Sequence, residues 1–162
     1  MAIITSINMS KKKGTPKTPI SSIILKENHG LVGDAHAAPG LRQVSLLSQE
    51  DINDFKNNPK LKVELKPGIF GENIAVSGID FKKLTLGDRL KIIHTKQEIL
   101  KTEKNKSNEI ILEVSKIGKE CLVPCMIGKL TGDCIMPKKG VFAIVIKGGK
   151  ISTGDSIELV KP

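Results

Sequence analysis

Leu86-Gly87-Asp88-Arg89-Leu90-Lys91-Ile92 carries the pattern on which this chain is built. A Gly-Asp turn launches a strand in which apolar and polar residues alternate, the period of a half-buried β-strand. Thr153-Gly154-Asp155-Ser156-Ile157-Glu158-Leu159 follows the same grammar, although the pair is too short to count as a repeat. Working outward, strands are expected at Ala2–Ile7, Ile20–Leu25, Arg42–Leu47, Ile110–Val114 and Val141–Ile146. Turn-forming clusters punctuate them: Gly14-Thr15-Pro16, Lys66-Pro67-Gly68, which leads into a further extended piece, and a tight turn at Gly148-Gly149 before the last strand. Ser48-Gln49-Glu50-Asp51 reads as a helix start, with Ser48 as N-cap and acids in the first turn, ending near Asn57 ahead of Pro59. Gln97–Asn108, polar and Lys-rich between two strands, reads as a hairpin extension or loop. Many short strands and one clear helix predict a mainly β barrel or sandwich.

The totals agree. A chain of 162 residues is long enough for one domain with a sizeable core, so residues 1–162 are read as a single unit. With four Phe and no Trp or Tyr, the core must come from Ile, Leu and Val, which favour β structure. The net charge of +9 attracts anions at long range. It does not make a persuasive nucleic-acid binder. Aromatic rings for base stacking are nearly absent, and arginine occurs only at Arg42 and Arg89. No run is long and apolar enough to suggest a membrane span. The amino-terminal MAIITSINMSKKKG places its positive charges after its apolar part, the reverse of a secretory signal. An odd number of cysteines with no disulfide framework is expected of a reducing cytoplasm.

Chemistry concentrates in Glu120–Gly149, ECLVPCMIGKLTGDCIMPKKGVFAIVIKGG, a span that holds Cys121, Cys125 and Cys134. A sulfur-rich, proline- and glycine-punctuated loop running into a core strand is a way to hold a reactive thiol still. Buried packing is the plainest role for each cysteine. A zinc site would need a histidine as fourth ligand and lacks the usual second pair. A thiolate suits molybdenum or persulfide sulfur, and spacing alone does not choose between them. Elsewhere, Asp34 and His36 stand on a Gly-punctuated loop, able to orient a ligand or simply to brace the loop. Arg42 suits a phosphate, or a carboxylate at a strand start. Asn73 offers donor and acceptor together to a heterocycle edge or to a turn. Ser-His-Asp order, a Walker phosphate loop and a dinucleotide glycine fingerprint are all missing from the sequence.

Several pieces, in order, carry a family pattern. They are Gly33-Asp34-Ala35-His36, Arg42-Gln43-Val44-Ser45-Leu46-Leu47, Pro67-Gly68-Ile69-Phe70-Gly71-Glu72-Asn73-Ile74 and Ile117-Gly118-Lys119-Glu120-Cys121. Cys125, Gly132-Asp133-Cys134-Ile135-Met136-Pro137, Gly140-Val141-Phe142 and Gly154-Asp155 continue it. Over nearly its whole length the chain resembles a small stand-alone MOSC-domain protein, the type named for the C-terminal domain of molybdenum-cofactor sulfurases.

The resemblance implies a closed β-barrel with one or two short helices. It also implies molybdenum ion binding and a role as sulfur carrier. Pyridoxal phosphate would come only through a separate partner enzyme. Carried over by position, Cys125 is the best match to the expected catalytic thiolate and molybdenum ligand, with Cys121 the next match. Arg42 and Asn73 would line the pocket of the molybdenum cofactor (molybdopterin), with Asp34 and His36 as further cofactor-binding residues. One departure is that Leu122 stands where short relatives often have His directly after the first Cys. Expected partners are a cysteine desulfurase or a molybdenum-cofactor biosynthesis protein. The alternatives are a molybdenum-dependent reductase of N-hydroxylated compounds, which would need an outside electron donor, and a non-catalytic basic binding module.

Overall fold

The structure, a computed structural model, describes residues 2–94, 109–118 and 126–161, with Met126 by its backbone alone. Its amino-terminal part runs β1 (Ile3–Met9), β2 (Thr18–Ile20), β3 (Ser22–Lys26), β4 (Gly30–Leu31), β5 (Val44–Ser48), helix α1 (Gln49–Phe55) and β6 (Ile74–Ser77). A 3-10 turn at Phe81–Lys83 precedes β7 (Arg89–Ile93) and β8 (Glu109–Ile117). Helices α2 (Met126–Thr131) and α3 (Met136–Lys139) lead to β9 (Val141–Lys147), β10 (Gly149–Ser152) and β11 (Ser156–Val160).

Seven strands close into a barrel in the order β1-β11-β7-β8-β9-β5-β6 and back to β1. Closure rests on Ile3 facing Ser156 at one seam and on β6 along the other side of β1. Every pairing in the ring is antiparallel except β5 with β6, which run parallel. That exception follows from connectivity, because α1 and the long turn after it form the crossover a parallel pair requires. β2 adds to β1 from Ile7 to Met9. β10, β3 and β4 make a separate three-stranded sheet.

The twin Gly-Asp turns use one device. Gly87 and Gly154 take positive φ (91° and 95°), a conformation cheap only for glycine. The following aspartate then turns back: Asp88 accepts from the Thr85 amide at 2.9 Å, and Asp155 from the Ser152 amide at 2.7 Å. Both strands so launched pair with each other, Leu90 facing Leu159.

Alternation assigns the faces. Ile4, Val44, Leu46, Ile74, Val76, Leu90, Ile92, Leu112 and Val145 fill the barrel interior as one cluster. β5 is buried at all five positions because its outer face is covered as well. There Leu47 joins Phe70, Ile127, Ile135, Met136 and Phe142 in a second cluster, over which α2 and α3 lie. Phe55 meets Phe70 edge-on, with ring centroids 5.2 Å apart.

The expected elements are largely present, with instructive differences. The strand expected at Ile20–Leu25 is two strands, broken at Ser21, because β2 belongs to the barrel and β3 to the small sheet. The strand from Val141 is followed by β10 as well as β11, so Gly148-Gly149 does not lead directly to the last strand. Ser48 is the N-cap of α1, accepting from the Asp51 amide at 3.3 Å. Among the described residues three short α-helices form where one or two were expected, since Met126–Thr131 and Met136–Lys139 coil within the cysteine-bearing span. Gln97–Asn108 lies outside the described residues. No helix among the described residues is long and apolar enough to cross a membrane.

Candidate functional site

The outer faces of β5 and β9 and the Lys66–Ile74 turn enclose a pocket of about 80 Å³. Its walls are Gly14, His36, Arg42, Ser45, Phe70, Gly71, Asn73, Ile127, Met136 and Phe142. One side is apolar, made by the second hydrophobic cluster. The other carries donors. Arg42 stands exposed two residues before β5, its guanidinium 5.6 Å from the centre of the Phe142 ring. Among the described residues no carboxylate pairs with this cation above the aromatic face, so its charge is available to an incoming anion.

Asn73 is the clasp that builds the pocket floor. Its Oδ1 accepts from the Ser45 amide at 3.0 Å and from Ser45 Oγ at 3.1 Å, and its Nδ2 donates to the Asn8 carbonyl at 3.2 Å. The backbones are joined too, with Asn73 N–H to Ser45 O at 3.0 Å and Asn8 N–H to Asn73 O at 2.7 Å. Fully buried, the side chain ties β1, β5 and the turn before β6 together, so its place is structural more than ligand-reading.

Asp34 and His36 converge with a residue that the motif reading passed over, Lys17. The Lys17 ammonium donates to Asp34 Oδ1 at 2.7 Å and to Ser10 Oγ at 3.1 Å, and lies 3.2 Å from His36 Nδ1. Asp34 also accepts from the amides of Ser10 at 3.0 Å and His36 at 3.2 Å. Burial alone would raise the Asp34 carboxyl. The Lys17 hydrogen bond, the Ser10 amide, the Lys17 charge and Asn73 together outweigh it and hold the group below its ordinary value. Asp34 therefore stands behind the pocket as a fixed anion that anchors Lys17, while His36 reaches the pocket wall. A charged lysine can only donate, so His36 Nδ1 accepts and a neutral ring carries its proton on Nε2.

Glu72 is the second residue passed over. It is 1% exposed, next to the clasp in sequence, and its carboxyl is pushed up to about 8 by burial, against the pull of the Gly68 and Phe70 amides and the Lys17 charge. A lone Lys in Thr15-Pro16-Lys17-Thr18 carries no sequence signal. Glu72 lies inside the Pro67–Ile74 piece already singled out, but nothing local marks it as buried.

Of the cysteines, Cys134 is half-buried against the second cluster, and its amide donates to Asp133 Oδ1 at 2.8 Å. It is not in the pocket wall. Cys121 and Cys125 lie outside the described residues; Ile127, two residues after Cys125 in sequence, lines the pocket. No group of three or more His, Cys, Asp or Glu side chains placed to hold a metal occurs among the described residues. His94 pairs instead with Asp155, 2.9 Å from Nδ1 to Oδ1.

Fold and site define a small closed β-barrel with a basic, partly aromatic pocket against its outer wall. The MOSC domain model matches residues 32–158, and the chain belongs to the MOSC-domain family. In overall structure it is similar to the YuaD protein of Bacillus subtilis (TM-score 0.72, 19% identity, 100% of this chain and 97% of that one). It is also similar to YiiM of Geobacillus stearothermophilus (TM-score 0.65, 19% identity, 99% and 76%) and YiiM of Escherichia coli (TM-score 0.62, 19% identity, 99% and 70%). A search of curated proteins found no match. Lys17 precedes the matched region, which is why a family pattern would not have pointed to it.

Proposed function

We propose that the protein handles the molybdenum cofactor or its sulfur, with the pocket taking an anionic end of the ligand and Cys125 supplying the soft ligand. The observation that carries this reading is the donor set of one pocket. Arg42 and His36 face an apolar wall of Phe70, Met136 and Phe142, so an oxyanion and the edge of a flat ring are both accommodated. About 80 Å³ takes a phosphate-sized group, and the remainder of a pterin would extend beyond it. Arg42 and His36 would hold the phosphate, Phe142 would flank the ring, and Cys125 would meet the metal or sulfur. Bound molybdenum supplies a soft, redox-active centre to which a thiolate is a suitable ligand.

As a sulfur carrier, the Cys125 thiolate attacks the outer sulfur of a cysteine persulfide on a desulfurase. A new S–S bond forms at Cys125, the donor's S–S bond breaks, and the donor leaves as a thiolate, with no net oxidation. Arg42 and His36 hold the ligand's anion, and the apolar wall keeps water from its ring face.

The test is metal and sulfur content after loading. Wild-type protein reconstituted with molybdenum cofactor, or treated with a persulfide donor, should retain molybdenum or a cyanide-labile sulfur. Cys125→Ala should lose that label while keeping its circular dichroism spectrum. Equal retention by the variant rejects the assignment.

A further inference from the structure

Three polar groups close into a ring behind the pocket wall. The Lys17 ammonium donates to Asp34 Oδ1 at 2.7 Å and lies 3.2 Å from His36 Nδ1, and the His36 amide returns to Asp34 Oδ2 at 3.2 Å. The remaining ammonium hydrogen goes to Ser10 Oγ at 3.1 Å. Both ends of the lysine are fixed. Its side chain is fully buried, its amide donates to the Gly68 carbonyl at 2.7 Å, and its own carbonyl packs where a Cβ on Gly68 would collide. With all three hydrogens engaged, the ammonium cannot turn from His36 without leaving a buried donor unmatched.

This immobility decides what His36 can be. An imidazolium donates from both nitrogens, so a proton on Nδ1 would set an N–H against an ammonium 3.2 Å away, two donors and two positive charges face to face. The ring is held neutral instead, with its proton on Nε2. Nδ1, its lone pair occupied, is closed to service as a base or as a metal ligand. Lys17 and Asp34 are opposite charges in contact, so behind the wall they act as a dipole and not as a second cation. Among the described residues that line the pocket, Arg42 is then the one that carries a charge. The other charged or titratable groups around His36 are Lys17 ahead of β2, Asp34 on its own loop, and Glu72 of the turn before β6, which the Lys17 charge reaches. From β9, α2 and α3 the pocket receives only Phe142, Ile127 and Met136.

We propose that Lys17 is a positioning residue that keeps His36 uncharged, so that Arg42 alone offers an anionic ligand a positive charge through the mildly acidic and neutral range. The inference rests on the reading that the pocket takes an anion, and it adds which wall group bears the charge. A pocket with an ordinary histidine would bind anions more tightly as the medium is acidified; this one does not.

Nitrogen NMR of the His36 ring in the labelled full chain reads charge and tautomer together. At pH 5.5, where an imidazole of ordinary pKa ~6.5 is about nine-tenths charged, His36 should remain mostly neutral with its proton on Nε2. Lys17→Met combined with Asp34→Asn removes the ammonium and leaves no stranded carboxylate to titrate in the same range, and there His36 should become charged near the ordinary value. Calorimetry with sulfate is the second reading, because sulfate stays doubly charged and needs neither molybdenum nor a thiol. It is run between pH 5.5 and 7, below the range in which Glu72 and thiols titrate. Wild-type affinity should change less than about twofold, whereas the double variant should gain about tenfold in acid, the effect of one added charge roughly 5 Å from a dianion in a water-like medium. His29 and His94 are common to both proteins. A charged His36 at pH 5.5, a proton on Nδ1, a wild-type affinity that climbs tenfold in acid, or a double variant whose ring stays neutral would each overturn the proposal. Absence of sulfate binding at every pH removes the anion reading and the proposal with it. Should the variant fail to fold, the wild-type spectrum decides alone. Cys125-dependent molybdenum retention beside a His36 that charges normally rejects this inference only. A neutral His36 without that retention rejects only the cofactor reading.

Discussion

Replacing Lys17 with methionine tests the buried charge pair on which the site is mounted. Both side chains are out of water, at 0% and 1% exposure, and the pair is 2.7 Å apart. Methionine fills much of the same volume but removes the hydrogen bonds to Asp34 and Ser10 and the contact with His36. Asp34 then keeps the Ser10 and His36 amides and the Asn73 side chain but has lost its cation. Taking away one partner of a buried pair costs about 3–5 kcal/mol, mostly because the other charge is stranded. The second half of the test separates stranding from packing. Lys17→Met combined with Asp34→Asn removes the stranded charge and keeps an acceptor for the Ser10 amide, so it should recover more than half of the loss. pH supplies a third check. The folded-state Asp34 is held below its ordinary value, so in wild type its stabilisation is present above 3.8 and is lost as pH falls through the folded value. The gap between wild type and Lys17→Met should therefore narrow in acid. Urea unfolding followed by circular dichroism at pH 7 and pH 3.5 measures all three. A single-variant cost below 1 kcal/mol, or a double variant no more stable than the single, would refute the reasoning.

Two further outcomes can be read on the same apparatus. A carboxyl displaced from 4.5 to about 8 binds its proton more tightly in the folded state, so wild-type stability should fall as pH rises through that window and then level off. The total is at most roughly 5 kcal/mol, at about 1.4 kcal/mol for each pH unit; Glu72→Gln should not show the decline, and parallel curves would exclude a raised Glu72. Asn73→Ala deletes one acceptor that takes two bonds and one donor to the Asn8 carbonyl, all buried, and should cost about 2–4 kcal/mol in thermal or urea unfolding. A loss under 1 kcal/mol would mean that the clasp does not hold β1 to β5.

The strands were legible wherever one face is wet. Arg89–Ile93 and Ser156–Val160 alternate because each presents one side to the core, and the Gly-Asp turn before them is a local device. The Ser48 cap was legible for the same reason, since an N-cap is satisfied within three residues. The break at Ser21 was not. Thr18–Lys26 is one extended run in sequence, and only its partners, β1 on one side and β10 on the other, divide it between two sheets. The helices of the cysteine-bearing span were missed because six and four residues are too few for a 3.6-residue period to register, and they stand by packing on Phe70 and Phe142.

The site divides along the same line. Arg42, His36 and Asn73 line one pocket, and Asn73 spends its amide on Ser45 and Asn8, 28 and 65 residues away. By itself the sequence determined the β class, the turns and the helix cap, because propensity, capping and alternation act between residues a few positions apart. Tertiary structure alone decided that Lys17 meets Asp34 and His36, that Glu72 loses contact with water, and which strands close the ring. Burial and charge pairing depend on what the rest of the chain brings within a few ångströms, and no local pattern encodes that distance.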